Sequence, residues 1–170
     1  SLSLKGTVAV TGTSPSTINT TGIAALLNGI HLTSGSGNTF DVADVTGSSA
    51  VDLTVSAPLI SGAQGLGASA LIKTGGGTMS LNDTNSYTGT TSVNAGTLLV
   101  NGSISGSAVN VAGGTLGGSG FTGAVTLNSG SIAPGTSPGI LHTGALSLSG
   151  GGLALEINGT TAGSDHDQLE

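Results

Sequence analysis

Apolar residues recur at every second position in short runs along this chain, and each run ends in turn material rich in Gly, Asn or Ser. The pattern is densest in residues 71–100, LIKTGGGTMSLNDTNSYTGTTSVNAGTLLV. There Met79 and Leu81, and again Leu98 and Val100, alternate with small polar residues, the period-two mark of a strand with one buried face. Turn segments at 75–77, 82–85 and 94–96 recur too often to leave room for helices. Upstream, strand patterns cover 7–11, 17–19 (behind a turn at 14–16), 30–33, 39–45, 50–55 and 59–61. In 39–45 the alternation turns Phe40, Val42 and Val45 inward and Asp41 and Asp44 outward; in 50–55 it sets Val51, Leu53 and Val55 against Asp52 and Thr54. Residues 22–27, GIAALL, are the only helix-like run and are too short to hold a helix alone. Residues 62–69 read as a loop.

From residue 91 the strands form a repeat. Val93, Val111, Leu127 and Leu148 align at separations of 18, 16 and 21 residues. Five positions after each stands another aliphatic: Leu98, Leu116, Ile132 and Leu153. Small turn residues lie between (94–96, 112–114, 128–130 and 149–151), and Thr91, Val109, Val125 and Leu146 stand two positions before. A third piece precedes the last three copies, marked by Ile104, Phe121 and Leu141. Each unit thus predicts three short strands and three corners. One such unit cannot bury its own apolar face, whereas stacked units bury it against one another. At the inter-strand spacing of roughly 4.8 Å, about eight coils would form a rod on the order of 40 Å long. The expected fold is all-β, a right-handed parallel β-helix, because parallel crossovers are strongly biased to that hand. A two-sheet sandwich is the rival, but it needs strands of about five or six residues, longer than most here.

Composition sharpens this picture. Gly supplies 32 of 170 residues, aromatics 2%, and Cys and Trp none. Mean hydropathy is nevertheless +0.33, so a core of Val, Leu, Ile and Ala can form. The net charge is −6, with no Arg and two Lys, Lys5 and Lys73, which excludes a nucleic-acid footprint and disfavours anionic membrane surfaces. No apolar run approaches the roughly 20 residues of a membrane helix, and residues 1–20 lack a signal-peptide pattern. Ser1–Leu4 reads as mid-strand, so residues 1–170 are expected to be one β-helix fragment of a longer polypeptide. The absence of Cys suits a chain that crosses a membrane unfolded, since no disulfide can close a loop early.

The run 73–81 (KTGGGTMSL) followed by 85–98 (NSYTGTTSVNAGTL) resembles the autotransporter-associated β-strand repeat, also called the passenger-associated transport repeat, of Gram-negative autotransporters. Its residues here are Gly75, Gly77, Thr78, Leu81, Asn85, Tyr87, Gly89, Val93, Asn94, Gly96, Thr97 and Leu98. Segments 130–139 (GSIAPGTSPG) and 165–169 (DHDQL) are similar to stretches that often follow that repeat, although Tyr is frequent where His166 stands; 38–45 and 50–55 are similar to material that often precedes it. The resemblance implies a transport-type repeat at 71–100, with C-terminal coils at 101–169. It further implies a β-helical passenger, surface-exposed or secreted, joined to an outer-membrane β-barrel C-terminal to it in the same polypeptide. The repeat is associated with efficient export, so the expected function is a non-catalytic passenger segment that promotes export and serves as a surface scaffold; the alternative is an adhesin-type rod binding a glycan or host surface, with a polysaccharide-cleaving β-helix enzyme less favoured.

A few residue groups could carry chemistry beside this fold. Glycan hydrolysis needs two carboxyls facing across a sugar, and Asp41 with Asp52 is the best pair among eight carboxylates; the plainer reading is two outward strand residues. Asp165-His166-Asp167 suggests a metal or base, or a solvated turn. His31 and His142 have no second His at ligand spacing. Asn82-Asp83-Thr84-Asn85 offers oxygen ligands or an Asx turn. No catalytic, cofactor or metal site is expected. Thr88, Thr90, Thr91 and Thr97 would line a flat face for a glycan, a host surface or ordered water, or simply follow the preference of β-branched residues for strands. Unpaired strand edges at a fragment's two ends would invite end-to-end association.

Overall fold

The computed structural model describes residues 2–4, 6–19, 29–61, 67–135 and 138–170. The helix-like run at 22–27 and most of the loop at 62–69 lie outside them. The described residues hold strands and turns and no helix. Every pairing between the named strands is parallel, and the sheets wrap into a three-faced β-helix.

Each coil runs first face, second face, third face. On the second face, Thr7–Val10, Gly35–Val42, Ser69–Thr74, Thr91–Val93, Val109–Gly118, Val125–Pro134 and Leu146–Leu148 pair in succession. The third face takes Ser16–Ile18, Val51–Val55, Thr78–Leu81 and Thr97–Val100, then the far halves of the two ten-residue strands, then Gly152–Leu153. The first face begins Leu2–Leu4, Ile30–Leu32, Leu59–Ser61 and ends Ile140–Leu141, Gln168–Leu169, with Ser103–Ile104 and Phe121–Thr122 between. The described residues therefore make seven turns of the solenoid and open an eighth.

The repeat read from the sequence is the physical register. Val93, Val111, Leu127 and Leu148 are successive partners, as are Leu98, Leu116, Ile132 and Leu153, and Thr91, Val109, Val125 and Leu146. These columns form one aliphatic core from Val10 to Leu141. A buried Leu or Val contributes about 2 kcal/mol, but only where a neighbouring rung covers it. Leu146, Leu148 and Leu153 occupy the same columns on the seventh rung and are exposed, with no rung over them among the described residues.

Three expectations need correction. Phe121 does not continue the column of Ile104 and Leu141: Ser103 pairs with Phe121 and Ile104 with Thr122, so Thr122 turns inward and Phe121 outward. A shift of one residue exchanges the two faces of a strand. Asp52 is not an outward residue but wholly buried, because a bulge between Val51 and Leu53 breaks the alternation. Asp167 is not part of a solvated turn: its carboxylate is buried and accepts the N–H of Gly139 (2.8 Å) and of Glu156 (2.9 Å). It thereby clips segment 165–169 onto 138–139, and Ile140–Leu141 pairs with Gln168–Leu169 just beyond.

Candidate functional site

Residues 71–81 complete one coil and 84–100 make the next, and the distinctive feature of this unit is polar side chains on the inside. Lys73 stands in the same column as Val93 and Phe40, so its side chain enters the core. It is 0% exposed. The ammonium donates to the carbonyls of Thr74 (2.8 Å), Gly75 (2.9 Å) and Ala95 (3.2 Å), the last one coil further on. Burial pulls its pKa from 10.5 down to about 8, against the upward pull of Asp41 and Asp52.

Asp52 sits on the other side of the same corner. Its Oδ1 accepts the N–H groups of Val45 and Thr46, both at 2.9 Å, and its Oδ2 accepts that of Thr78 at 2.7 Å. Burial raises the pKa of this carboxyl, and the bonds from Thr78, Thr46 and Val45 together outweigh burial and hold it below its ordinary value. A carboxylate with a depressed pKa contributes stability above the unfolded value near 3.8 that is lost as pH falls through the folded one. Asp52→Asn puts an N–H₂ against one of these N–H donors and should cost about 3 kcal/mol. In urea unfolding followed from pH 7 to pH 3, the wild type should lose stability at the acid end while the variant, already weakened, should show a smaller loss.

Asn85 and Tyr87 fix the next corner. Asn85 Oδ1 accepts the Leu59 N–H at 2.9 Å from the coil before, and Nδ2 donates to Asp83 O at 2.7 Å and to Ser103 O at 3.1 Å on the coil after. One amide therefore spans three rungs. Tyr87 is buried with its hydroxyl 2.7 Å from Thr91 Oγ1. Thr91 Oγ1 lies 2.7 Å from Ser107 Oγ, which donates to Gly89 O at 2.7 Å. Burial pushes the Tyr87 phenol up to about 12, against the pull of the Thr91 and Ser107 hydroxyls.

The remaining motif residues supply space or packing. Leu81, Val93 and Leu98 lie in the core. Gly75, Gly77, Gly89 and Gly96 each sit where a Cβ would come within 2.5 Å of backbone on a neighbouring coil. Thr97 is half-buried, and Asn94 is exposed and bonded through its N–H to Lys73 O at 3.0 Å. Thr78 and Thr97, with Ser48, Ser49, Gly76 and Leu99, line an open groove of about 360 Å³.

The structure brings Asp41 and Asp52 to the same corner, but not as a catalytic pair. Asp41 is exposed and accepts the Thr74 hydroxyl at 3.1 Å, while both oxygens of Asp52 are committed to backbone. The flat Thr face is also broken: Thr88 and Thr90 are exposed, Thr97 is half-buried, and Thr91 lies in the hydroxyl chain inside. Around Asn82–Asn85 the polar groups bond one another: Ser80 Oγ donates to Asn82 Oδ1 at 2.6 Å, and Thr84 N–H to Asp83 Oδ1 at 2.7 Å. Among the described residues no three His, Cys, Asp or Glu side chains gather as a metal site. Alternation alone hides Lys73, but extending the repeat back one unit sets Lys73 against Val93, which marks it as internal.

Residues 71–100 match the family model of the passenger-associated transport repeat. Comparisons with curated proteins and with solved structures give no match. The matched unit coincides with the polar-pinned coil, and its family points to an autotransporter passenger region.

Proposed function

We propose that residues 71–100 act as an export element of a non-catalytic β-helical passenger, which crosses the outer membrane unfolded and folds outside as a surface scaffold. The proposed partner is an outer-membrane β-barrel in the same polypeptide, and the final location is the cell surface or the medium. The observation that carries this reading is the repeat match on a unit whose Asn85 bonds to backbone on both neighbouring coils and whose Lys73 reaches backbone on the next.

Solenoid stability is a sum of local interfaces, so coils can add one at a time to a folded template. An aliphatic column alone tolerates slippage, because any Leu fits against any Val. A buried Asn85 or Lys73 satisfies its bonds only in one register, and a misplaced polar group inside costs about 1–3 kcal/mol. The polar coil thus sets register for the aliphatic coils at 101–169 and disfavours backsliding of the emerging chain.

The test is deletion of 71–100 from the exported polypeptide, beside deletion of 111–126, which removes one aliphatic coil of 16 residues. Passenger on intact cells is read by protease accessibility. The first deletion should leave passenger in the periplasm, and the second should export near the wild-type level. Equal export of both variants, or equal failure of both, would overturn the assignment of 71–100 as the export element.

A further inference from the structure

The outward row of the first face carries a second, unrelated feature. Thr84, Ser103, Phe121 and His142 are successive partners along the rod. Phe121 and His142 stack with ring centroids 4.4 Å apart and planes 11° apart. The His142 ring is held in turn by Glu170, with Nδ1 3.1 Å from Oε2. One face of the Phe121 ring is therefore covered by a fixed imidazole. The rung on its other side bears Ser103, whose side chain is too small to cover a phenyl ring, and Phe121 is 52% exposed. The chain has two Phe and one Tyr, and Phe40 and Tyr87 are both 0% exposed. The single exposed aromatic ring is thus also the braced one.

We propose that Phe121, backed by His142 and flanked by Ser103 and Ser105, is a stacking platform for a pyranose ring of a neutral glycan. A free aromatic face accepts the C–H face of a sugar, and a few polar groups at the rim orient it. Ser103 Oγ and Ser105 Oγ are 3.3 Å apart at that rim. The apolar area is a single ring with Ser103 on the rung to one side and His142 on the other, polar groups beside a ring face, which suits a sugar's alternation of C–H and hydroxyl groups. A protein partner would call for a wider apolar core, and a lipid surface for a basic cluster, whereas the chain has two Lys and no Arg. With net charge −6 and Glu170 beside the platform, acidic glycans are disfavoured. This inference names a ligand surface and is independent of the export reading, which concerns another part of the rod.

The experiment is aromatic ¹H–¹³C NMR of the purified chain titrated with chitotetraose, maltotetraose or lactose, and with a heparin tetrasaccharide. A single platform predicts Kd on the order of 1 mM. At least one neutral sugar should shift the Phe121 ring and His142 signals while the Phe40 ring, buried in the same molecule, stays put. Phe121→Ala should weaken binding by about 10-fold, and Phe121→Trp should retain it; Phe121 is on the surface, so both variants should fold. No shift with any of the three neutral sugars, shifts that survive Phe121→Ala, or stronger effects from heparin or from phosphatidylcholine vesicles would each overturn the proposal. Failure here leaves the deletion experiment on export untouched, and the reverse holds.

Discussion

Lys73→Ala should lose about 4 kcal/mol of unfolding free energy, a large share of what a domain of this size has. Three carbonyls, on Thr74, Gly75 and Ala95, converge on the ammonium from two coils. Removing it leaves buried acceptors that water cannot reach, each costing about 1–3 kcal/mol before relaxation. Truncation also opens a cavity in the column between Phe40 and Val93. Lys73→Met keeps the stem and removes only the charge, so its smaller loss isolates the ammonium. Urea titrations of the three proteins at one pH measure both effects.

The same lysine gives a pH signature of definite sign. In the unfolded chain its proton is held up to about 10.5, in the fold only to about 8. Between those values the unfolded chain binds more protons, so wild-type stability should rise with pH from about 8 toward 10. Tyr87 reverses the trend: its pKa is raised from 10.0 to about 12, so the unfolded chain ionises first and stability falls above 10. The rise should vanish in Lys73→Met and the fall should remain. A flat wild-type profile from pH 8 to 10 would contradict the buried ammonium.

How much of this was legible in the sequence depends on the residue type. The aliphatic columns were readable because each coil repeats the same burial requirement, so Leu98, Leu116, Ile132 and Leu153 align in the sequence as they do in space. Asp52 and Phe121 were misread because alternation assumes an unbroken strand. A bulge at Val51/Leu53 rotates the first, and the pairing of Ser103 with Phe121 turns the second outward. Asn85 and Tyr87 were visible as motif residues, but their burial was not: their inward position depends on partners at Leu59, Ser103 and Thr91, which no local pattern points to; Thr91 itself shares an aligned column with Val109 and Val125, and its role on the outer Thr face was the misreading. The pairing of 138–139 with 165–167 through Asp167 was hidden for the same reason, although both stretches had been marked as similar to material following the repeat.

The glycines make the sharpest test of the architecture. At the corner between the second and third faces, a Cβ on Gly96 would lie 2.4 Å from Gly77 O, on Gly114 2.7 Å from Gly96 O, on Gly130 2.1 Å from Gly114 O, and on Gly151 2.6 Å from Gly130 O. Successive coils therefore rest glycine upon glycine carbonyl, and rungs keep their spacing only while each step lacks a side chain. Gly96 carries two further constraints, a φ of +62° and Lys73 Nζ at 2.7 Å from the added carbon. Gly96→Ala must accept a left-handed backbone, push against two carbonyls and displace the ammonium, and should cost on the order of 4 kcal/mol or more. Gly76, two residues from the same ammonium's Thr74 acceptor, is exposed, has nothing within 4 Å of its added carbon and keeps an ordinary φ. Gly76→Ala should therefore be neutral or stabilise by up to ~1 kcal/mol through the unfolded state. Thermal and urea unfolding of the two variants side by side decide the matter. Equal effects would mean that glycine in these corners serves turn formation in general, whereas a large gap confined to Gly96 would show that contact between coils, rung on rung, is what excludes the side chain.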